Sequence, residues 1–263
     1  MFTIDAHAKV NIFLKITGLK EHENGKMYHT LLSRFMRVEH LYDTIIFVPG
    51  EFEHFTIEGC GEIPLESNTI YQAYRALNAH TGDLDILNFF YTHKVVVTKR
   101  IPSGAGLGGG SSDAAAFMRL VKEACNLLLS TEELARIGAT IGSDVPFFIY
   151  NYPSANVSGF GEIVEPFDER PLDLKLFTPP VHCDTATVYR TFREHFLEQI
   201  NLCSFLGWDR IDSKTLLETI ADPFILNDLY APALIAYPEL KTYADKKKEW
   251  FFSGSGSTFF RVK

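Results

Sequence analysis

Excess positive charge is what this chain most plainly lacks. Its 263 residues carry 25 lysines and arginines against 33 aspartates and glutamates, a formal charge of −8. A protein that binds nucleic acid or an anionic membrane through a general surface needs a basic face, so neither partner is expected. Any anionic ligand must be held by a local device. Cysteine is also scarce. Cys60, Cys125, Cys183 and Cys203 show no C-x-x-C or other metal-ligand spacing, which points to reduced thiols. The nine histidines form no H-E-x-x-H pair, so no protein-held metal centre is expected. No apolar run approaches the roughly 18 residues of a membrane span. The opening Met1-Phe2-Thr3-Ile4-Asp5-Ala6-His7 lacks the charged-then-apolar pattern of a signal peptide, and a cytoplasmic location is expected. No internal repeat at periods of about 20 to 50 residues suggests a solenoid.

With 46% hydrophobic residues, the chain can bury a substantial core as one large or two modest domains. Residues 9–16 alternate polar and apolar as a half-buried strand does, and residues 44–48, 55–57 and 94–98 are further strand candidates. Ser67-Asn68-Thr69 reads as an N-cap opening a helical run over 70–78. Ser112 begins another to about 129, and Ser130-Thr131-Glu132-Glu133 caps a third that Gly142 ends. Beyond residue 150 prolines and glycines multiply, helical stretches lie near 188–198 and 216–220, and a strand-like 250–252 precedes the end. Strands and helices without strict β-α-β alternation predict an α+β fold, divided into domains 1–150 and 151–263.

The densest signal is Pro102-Ser103-Gly104-Ala105-Gly106-Leu107-Gly108-Gly109-Gly110-Ser111-Ser112-Asp113, with five glycines and three serines between a β-like and a helix-like run. Glycine lets the backbone approach a ligand closely, so several N–H groups can converge on one anion, and a helix start adds donors and its positive dipole end. Gly104 to Gly109 also satisfies G-x-G-x-x-G. A dinucleotide fold, however, wants an acidic residue closing a second strand some 20 positions on, where this chain has the cap at Ser130. No lysine follows the glycines, so the chain lacks a Walker A loop. The residues favour a phosphate cradle, with a dinucleotide loop and an inert surface linker as the alternatives.

Lys9 and Asn11 share one face of the first strand, where a lysine is ordinarily solvated. Asp144 stands among apolar residues at a helix end, either as a cap or as a desolvated carboxylate. A phosphoryl-transfer enzyme uses this pair of types: an acid to take the hydroxyl proton, and a cation to orient the oxygen and offset phosphoryl charge. Tyr28 beside His29 could be core, or could stack on a planar base and read its edge. Ser253-Gly254-Ser255-Gly256-Ser257 is a second small-residue loop, suited to a hairpin or to an anion.

Ala8-Lys9-Val10-Asn11-Ile12-Phe13-Leu14, the glycine loop and the loop 253–257 resemble, in order, the three motifs of the galactokinase, homoserine kinase, mevalonate kinase and phosphomevalonate kinase (GHMP) superfamily. With Tyr28-His29-Thr30-Leu31 and Gly142-Ser143-Asp144-Val145-Pro146, the likeness falls on the branch whose substrate is 4-diphosphocytidyl-2-C-methyl-D-erythritol, in the non-mevalonate isoprenoid route. The resemblance spans nearly the whole chain. It implies a two-domain kinase using ATP and Mg2+, monomeric or weakly dimeric, with a small-molecule partner carrying cytidine diphosphate. Lys9 and Asp144 fall on the catalytic pair, Asp144 deprotonating the 2-hydroxyl. Pro102, Ser103, Gly104, Ala105, Gly106, Leu107, Gly108, Gly109, Gly110, Ser111 and Ser112 would wrap the ATP phosphates, the two last serines near magnesium, with Asn68 and Lys99 near the nucleotide. Tyr28 and Tyr189 would sandwich the cytosine, His29 would read its edge, Thr185 would lie in the same wall, and Asn11 would support the substrate.

The chain departs from the family pattern in four places. Asn24-Gly25-Lys26-Met27 lengthens the approach to Tyr28, Ser143 replaces the commoner alanine, His7 stands where proline is common, and Tyr189 where phenylalanine is frequent. None removes a catalytic group. A homoserine- or mevalonate-type kinase would have no use for a cytosine platform, and a non-catalytic nucleotide sensor on this fold would lack Lys9 or Asp144.

Overall fold

The computed structural model describes residues 2–21, 25–82 and 84–263; expectations that touch Met1 or Asn24 lie outside them. Two compact units are woven from interleaved stretches of chain. The first takes Met1–Ala8, Glu39–Ile101 and Gly108–Asn151, and the second Lys9–Val38, Pro102–Leu107 and Tyr152–Lys263. The chain therefore crosses between units within its first two strands and at the glycine loop, besides the crossing after Asn151.

The elements follow in the order β1 (Phe2–Glu21), β2 (Met27–Pro49), β3 (Ile57–Glu58), α1 (Thr69–Thr81), α2 (Leu84–Tyr91), β4 (His93–Thr98), α3 (Gly109–Ala124), α4 (Thr131–Ala139) and α5 (Val145–Tyr150). They continue with β5 (Ser154–Gly159), β6 (Ile163–Pro166), β7 (Leu174–Phe177), α6 (Thr185–His195), α7 (Ser213–Ile220), α8 (Pro223–Leu226), α9 (Tyr230–Ala236), α10 (Leu240–Lys246), β8 (Phe251–Phe252) and β9 (Phe259–Val262). Helices and strands mix without β-α-β alternation, the α+β class expected. Among the described residues no helix is long and apolar enough to cross a membrane.

In the first unit the end of β2 pairs antiparallel with β4, from Thr44 opposite Thr98 to Pro49 opposite His93, and β3 lies parallel to β4. α1 starts where the Asn68 carboxamide accepts the Ile70 N–H at 2.9 Å, and it buries Ile70, Ala73 and Leu77 on one face. α4 opens with the foreseen N-cap at Ser130, which the structure extends to a capping box, Ser130 and Glu133 bonding each other's backbone N–H. Phe47, Phe90 and Phe117 meet with centroids 5.3 to 5.8 Å apart, and each buried ring contributes about 2 to 3 kcal/mol.

In the second unit the first half of β2 pairs with β5, Leu31 opposite Gly159 through Met36 opposite Ser154, and β6 extends that sheet. A separate sheet runs β7-β9-β8. Arg34, fully buried, donates to Asn156 at 2.7 Å and to the Asp209 carbonyl at 3.0 Å, and lies over the Phe167 ring at 3.3 Å.

Several expectations are revised. The first strand runs twenty residues rather than eight, and of β2 only 44–48 was foreseen, because buried Ser33 and Arg34 interrupt its apolar pattern. α2 was unforeseen, and the strand expected at 55–57 starts only at Ile57. α3 begins three residues early, among the glycines, and stops at Ala124. Asn126 there takes a left-handed φ of +52°, which turns the chain out of the helix.

Candidate active site

The glycine loop owes its shape to where its carbonyls go. Within the second unit, Gly104 accepts from the Cys183 N–H at 3.1 Å and Ala105 from the Thr258 N–H at 3.1 Å. Gly106 accepts from the Ser253 hydroxyl at 2.9 Å, and Leu107 from the Lys9 N–H at 3.0 Å. Four successive carbonyls are thus bound to protein, and the N–H groups are what the loop retains for an anion. Gly106 has φ +70°, and a Cβ there would stand 2.2 Å from the Ser253 carbonyl oxygen. Only glycine fits both demands.

In the first unit, Gly108 caps α3 in a left-handed conformation with no side-chain cap, so the helix start keeps donors for a ligand. The two serines of the first turn divide. Ser112 is buried and its hydroxyl donates to the His7 carbonyl at 2.7 Å, whereas Ser111 is half-buried, its Oγ 3.7 Å from where a Cβ on Gly142 would lie. Asp144, two residues beyond Gly142, is half-buried at the start of α5, and its carboxylate does not cap that helix. Of the two readings of Asp144, the cap is excluded.

Lys9 is not on a solvated face. It is 3% exposed, its ammonium donates to Asn11 Oδ1 at 2.6 Å and stands 4.4 Å from the Phe35 ring centroid. Asn11 in turn donates through Nδ2 to Ser33 Oγ at 2.9 Å and through its backbone N–H to Ser253 Oγ at 3.3 Å. The alternation of β1 holds, but both faces are covered here. A lysine and an asparagine side by side are therefore fixed by hydrogen bonds rather than by water.

His29 lies 5.2 Å from the Tyr189 ring and 5.7 Å from Phe192, 7% exposed, with Nε2 buried and, among the described residues, without a hydrogen-bond partner. Burial, aided by the nearby Arg193 cation, pushes its pKa down to about 4, so the ring is neutral at pH 7. Tyr28 is 41% exposed and meets Phe160 edge-on at 6.1 Å. Thr185, exposed on the first turn of α6, shares a 2.9 Å hydrogen bond with the Ser255 hydroxyl. The second small-residue loop joins β8 to β9 as a hairpin and is buried. Asn227 Nδ2 donates to the carbonyls of Phe252 and Gly254, both at 2.9 Å.

Asn68 is committed to the α1 cap. Lys99 is held between two carboxylates, donating to Asp43 at 2.5 Å and Asp113 at 2.6 Å. Burial disfavours its charge, but Asp113 and Asp43 outweigh that and raise its pKa. Burial lifts the Asp113 carboxyl to about 7 against the pull of Lys99, and its Oδ1 is buried with no hydrogen-bond partner among the described residues. Asp43 also accepts the backbone N–H groups of Arg100 and Ile101. The roles of Ser33, Asn227 and the Ser253 hydroxyl in the second unit, and of Asp43 and Asp113 in the first, were not foreseen. Asp113 and Ser253 do carry a sequence signal, each lying in one of the two small-residue loops.

Among the described residues no group of three or more histidine, cysteine, aspartate or glutamate side chains could hold a metal ion.

The GHMP kinases N terminal domain family matches residues 68–152. A 4-diphosphocytidyl-2-C-methyl-D-erythritol kinase of Sulfurovum sp. (strain NBC37-1) is 62% identical over 263 residues, covering 100% of both chains. One from Sulfurimonas denitrificans is 48% identical, covering 98% of this chain and 96% of its own. The crystal structure of a 4-(cytidine 5'-diphospho)-2C-methyl-D-erythritol kinase superposes with a TM-score of 0.73 at 28% identity, covering 99% of this chain and 89% of that one. A mevalonate kinase structure, TM-score 0.63 at 13% identity with 100% and 91% covered, shares the fold. The chain belongs to the 4-diphosphocytidyl-2-C-methyl-D-erythritol kinase family of the GHMP kinases, and is an ATP-using small-molecule kinase.

Proposed function

We propose that the chain transfers the γ-phosphate of ATP to the 2-hydroxyl of 4-diphosphocytidyl-2-C-methyl-D-erythritol, a step of the non-mevalonate isoprenoid route. The observation that carries the choice of substrate is His29. A neutral, buried imidazole whose Nε2 has no partner among the described residues, beside an aromatic ring, suits the polar edge of a nucleobase. Left empty-handed, that nitrogen costs roughly 1 to 3 kcal/mol, which a base edge would recover on binding. Tyr28 and Tyr189 supply rings for stacking, and Thr185 a hydroxyl in the same wall.

The N–H groups of residues 103–110, with the start of α3, hold the ATP phosphates, and Asn68 and Lys99 lie towards the nucleotide. Asp144, not spent on capping, takes the proton of the attacking hydroxyl, and Lys9, held by Asn11, orients that oxygen and offsets phosphoryl charge. Asn11 steadies the substrate through the same contact. Magnesium fits this reading as an ion held chiefly by phosphate oxygens and water, neutralising phosphate charge, because Ser111 offers a hydroxyl while Ser112 is committed to His7. The protein works as a monomer or weak dimer in the cytoplasm.

Calorimetric titration with cytidine 5'-diphosphate tests the substrate assignment. His29→Phe should weaken its binding at least tenfold and leave a non-hydrolysable ATP analogue bound as before. Unchanged cytidine diphosphate binding would remove the assignment.

A further inference from the structure

The Asp43–Lys99–Asp113 cluster has no part in the phosphate loop's own hydrogen bonding, yet it lies within the first unit at the start of α3. Asp113 is on the first two turns of that helix, and the Lys99 ammonium stands 3.8 Å from where a Cβ on Gly109 would lie. The lysine side chain keeps 29% of its surface open, while Asp43 is fully buried and Asp113 nearly so. Asp43 cannot move, because it also receives the backbone N–H groups of Arg100 and Ile101. A flexible four-carbon stem is thus pinned at its tip from two sides, on two different elements.

We propose that Asp43 and Asp113 are positioning residues for the nucleotide: they fix the Lys99 ammonium beside the first turn of α3, so that it meets the ATP phosphates in one place. This rests on the reading that Lys99 serves the nucleotide. The arrangement has a physical rationale. An ammonium alone near the loop would swing among rotamers and bind phosphate diffusely, whereas two carboxylates hold it at a charge penalty that ATP must offset. A rival role is simple neutralisation, with the carboxylates cancelling Lys99 and repelling ATP. The two roles predict opposite signs.

Initial rates with ATP and the cytidyl substrate varied in turn separate them, using the wild type, Asp113→Asn, Lys99→Gln and the double variant, with urea midpoints recorded for each. Positioning predicts that Asp113→Asn and Lys99→Gln each raise the KM for ATP about tenfold, leave the KM for the cytidyl substrate within about twofold, and do not multiply in the double variant. A KM for ATP that is unchanged or lower in Asp113→Asn, or effects that multiply, would overturn the proposal. If Lys99→Gln itself leaves the KM for ATP unchanged, the reading of Lys99 at the nucleotide fails, and the proposal with it. Asp113→Glu decides the matter should the asparagine variant not fold. It keeps the charge and moves it by one methylene, so positioning predicts a raised KM for ATP and neutralisation predicts none.

Discussion

The Ser253 hydroxyl donates to the carbonyl of Gly106 across 147 residues of sequence, at 2.9 Å, and so ties the C-terminal hairpin loop to the glycine loop. The same oxygen accepts the Asn11 N–H at 3.3 Å. One small side chain thereby sets two segments of the second unit. Ser253→Ala leaves the Gly106 carbonyl without that donor, a loss of about 1 to 3 kcal/mol. The expected result is a KM for ATP raised about tenfold with the protein still folded, checked by initial rates alongside a urea midpoint.

Asp144→Asn keeps the shape of the α5 start and removes the carboxylate proposed as the base. ATP binding should persist, because the loop's N–H groups are untouched, while turnover falls by roughly 10² to 10⁴. Calorimetry with an ATP analogue and single-turnover rates separate the two quantities; wild-type turnover in this variant would remove Asp144 from the chemistry.

His29 predicts a pH dependence of stability. Its pKa is about 4 in the folded chain against 6.5 unfolded, so between those values the unfolded state binds more protons. Stability must therefore decline as pH falls from about 6.5 towards 4. His29→Phe deletes the titrating group but keeps a ring beside Tyr189 and Phe192. Its urea midpoint should fall less than that of the wild type over this window, and parallel curves would contradict the burial argument.

How much of this could be read beforehand depended on whether the cause was local. The glycine run declares its own conformation, and Asn68 and Ser130 cap helices through neighbours two or three residues away, so these were legible. The burial of Lys9 was not, because alternation along β1 says which residues share a face but not that both faces are covered. Nor was the long reach of β2: Arg34 reads as surface until the distant Asn156, Phe167 and Asp209 surround it. The clasp on Lys99 depends on Asp43, 56 residues earlier, and no spacing rule connects them. The helix after the glycines was legible in kind; its end at Ala124 was missed, although Asn126, which takes the left-handed φ there, is a residue type that favours such a turn.

The most direct test is ADP release by purified protein with ATP and magnesium, offered 4-diphosphocytidyl-2-C-methyl-D-erythritol, homoserine or mevalonate in parallel. The account predicts turnover with the cytidyl substrate alone, lost in Asp144→Asn and weakened through KM in His29→Phe. Turnover on mevalonate or homoserine, or ATP binding without turnover on any of the three, would contradict it.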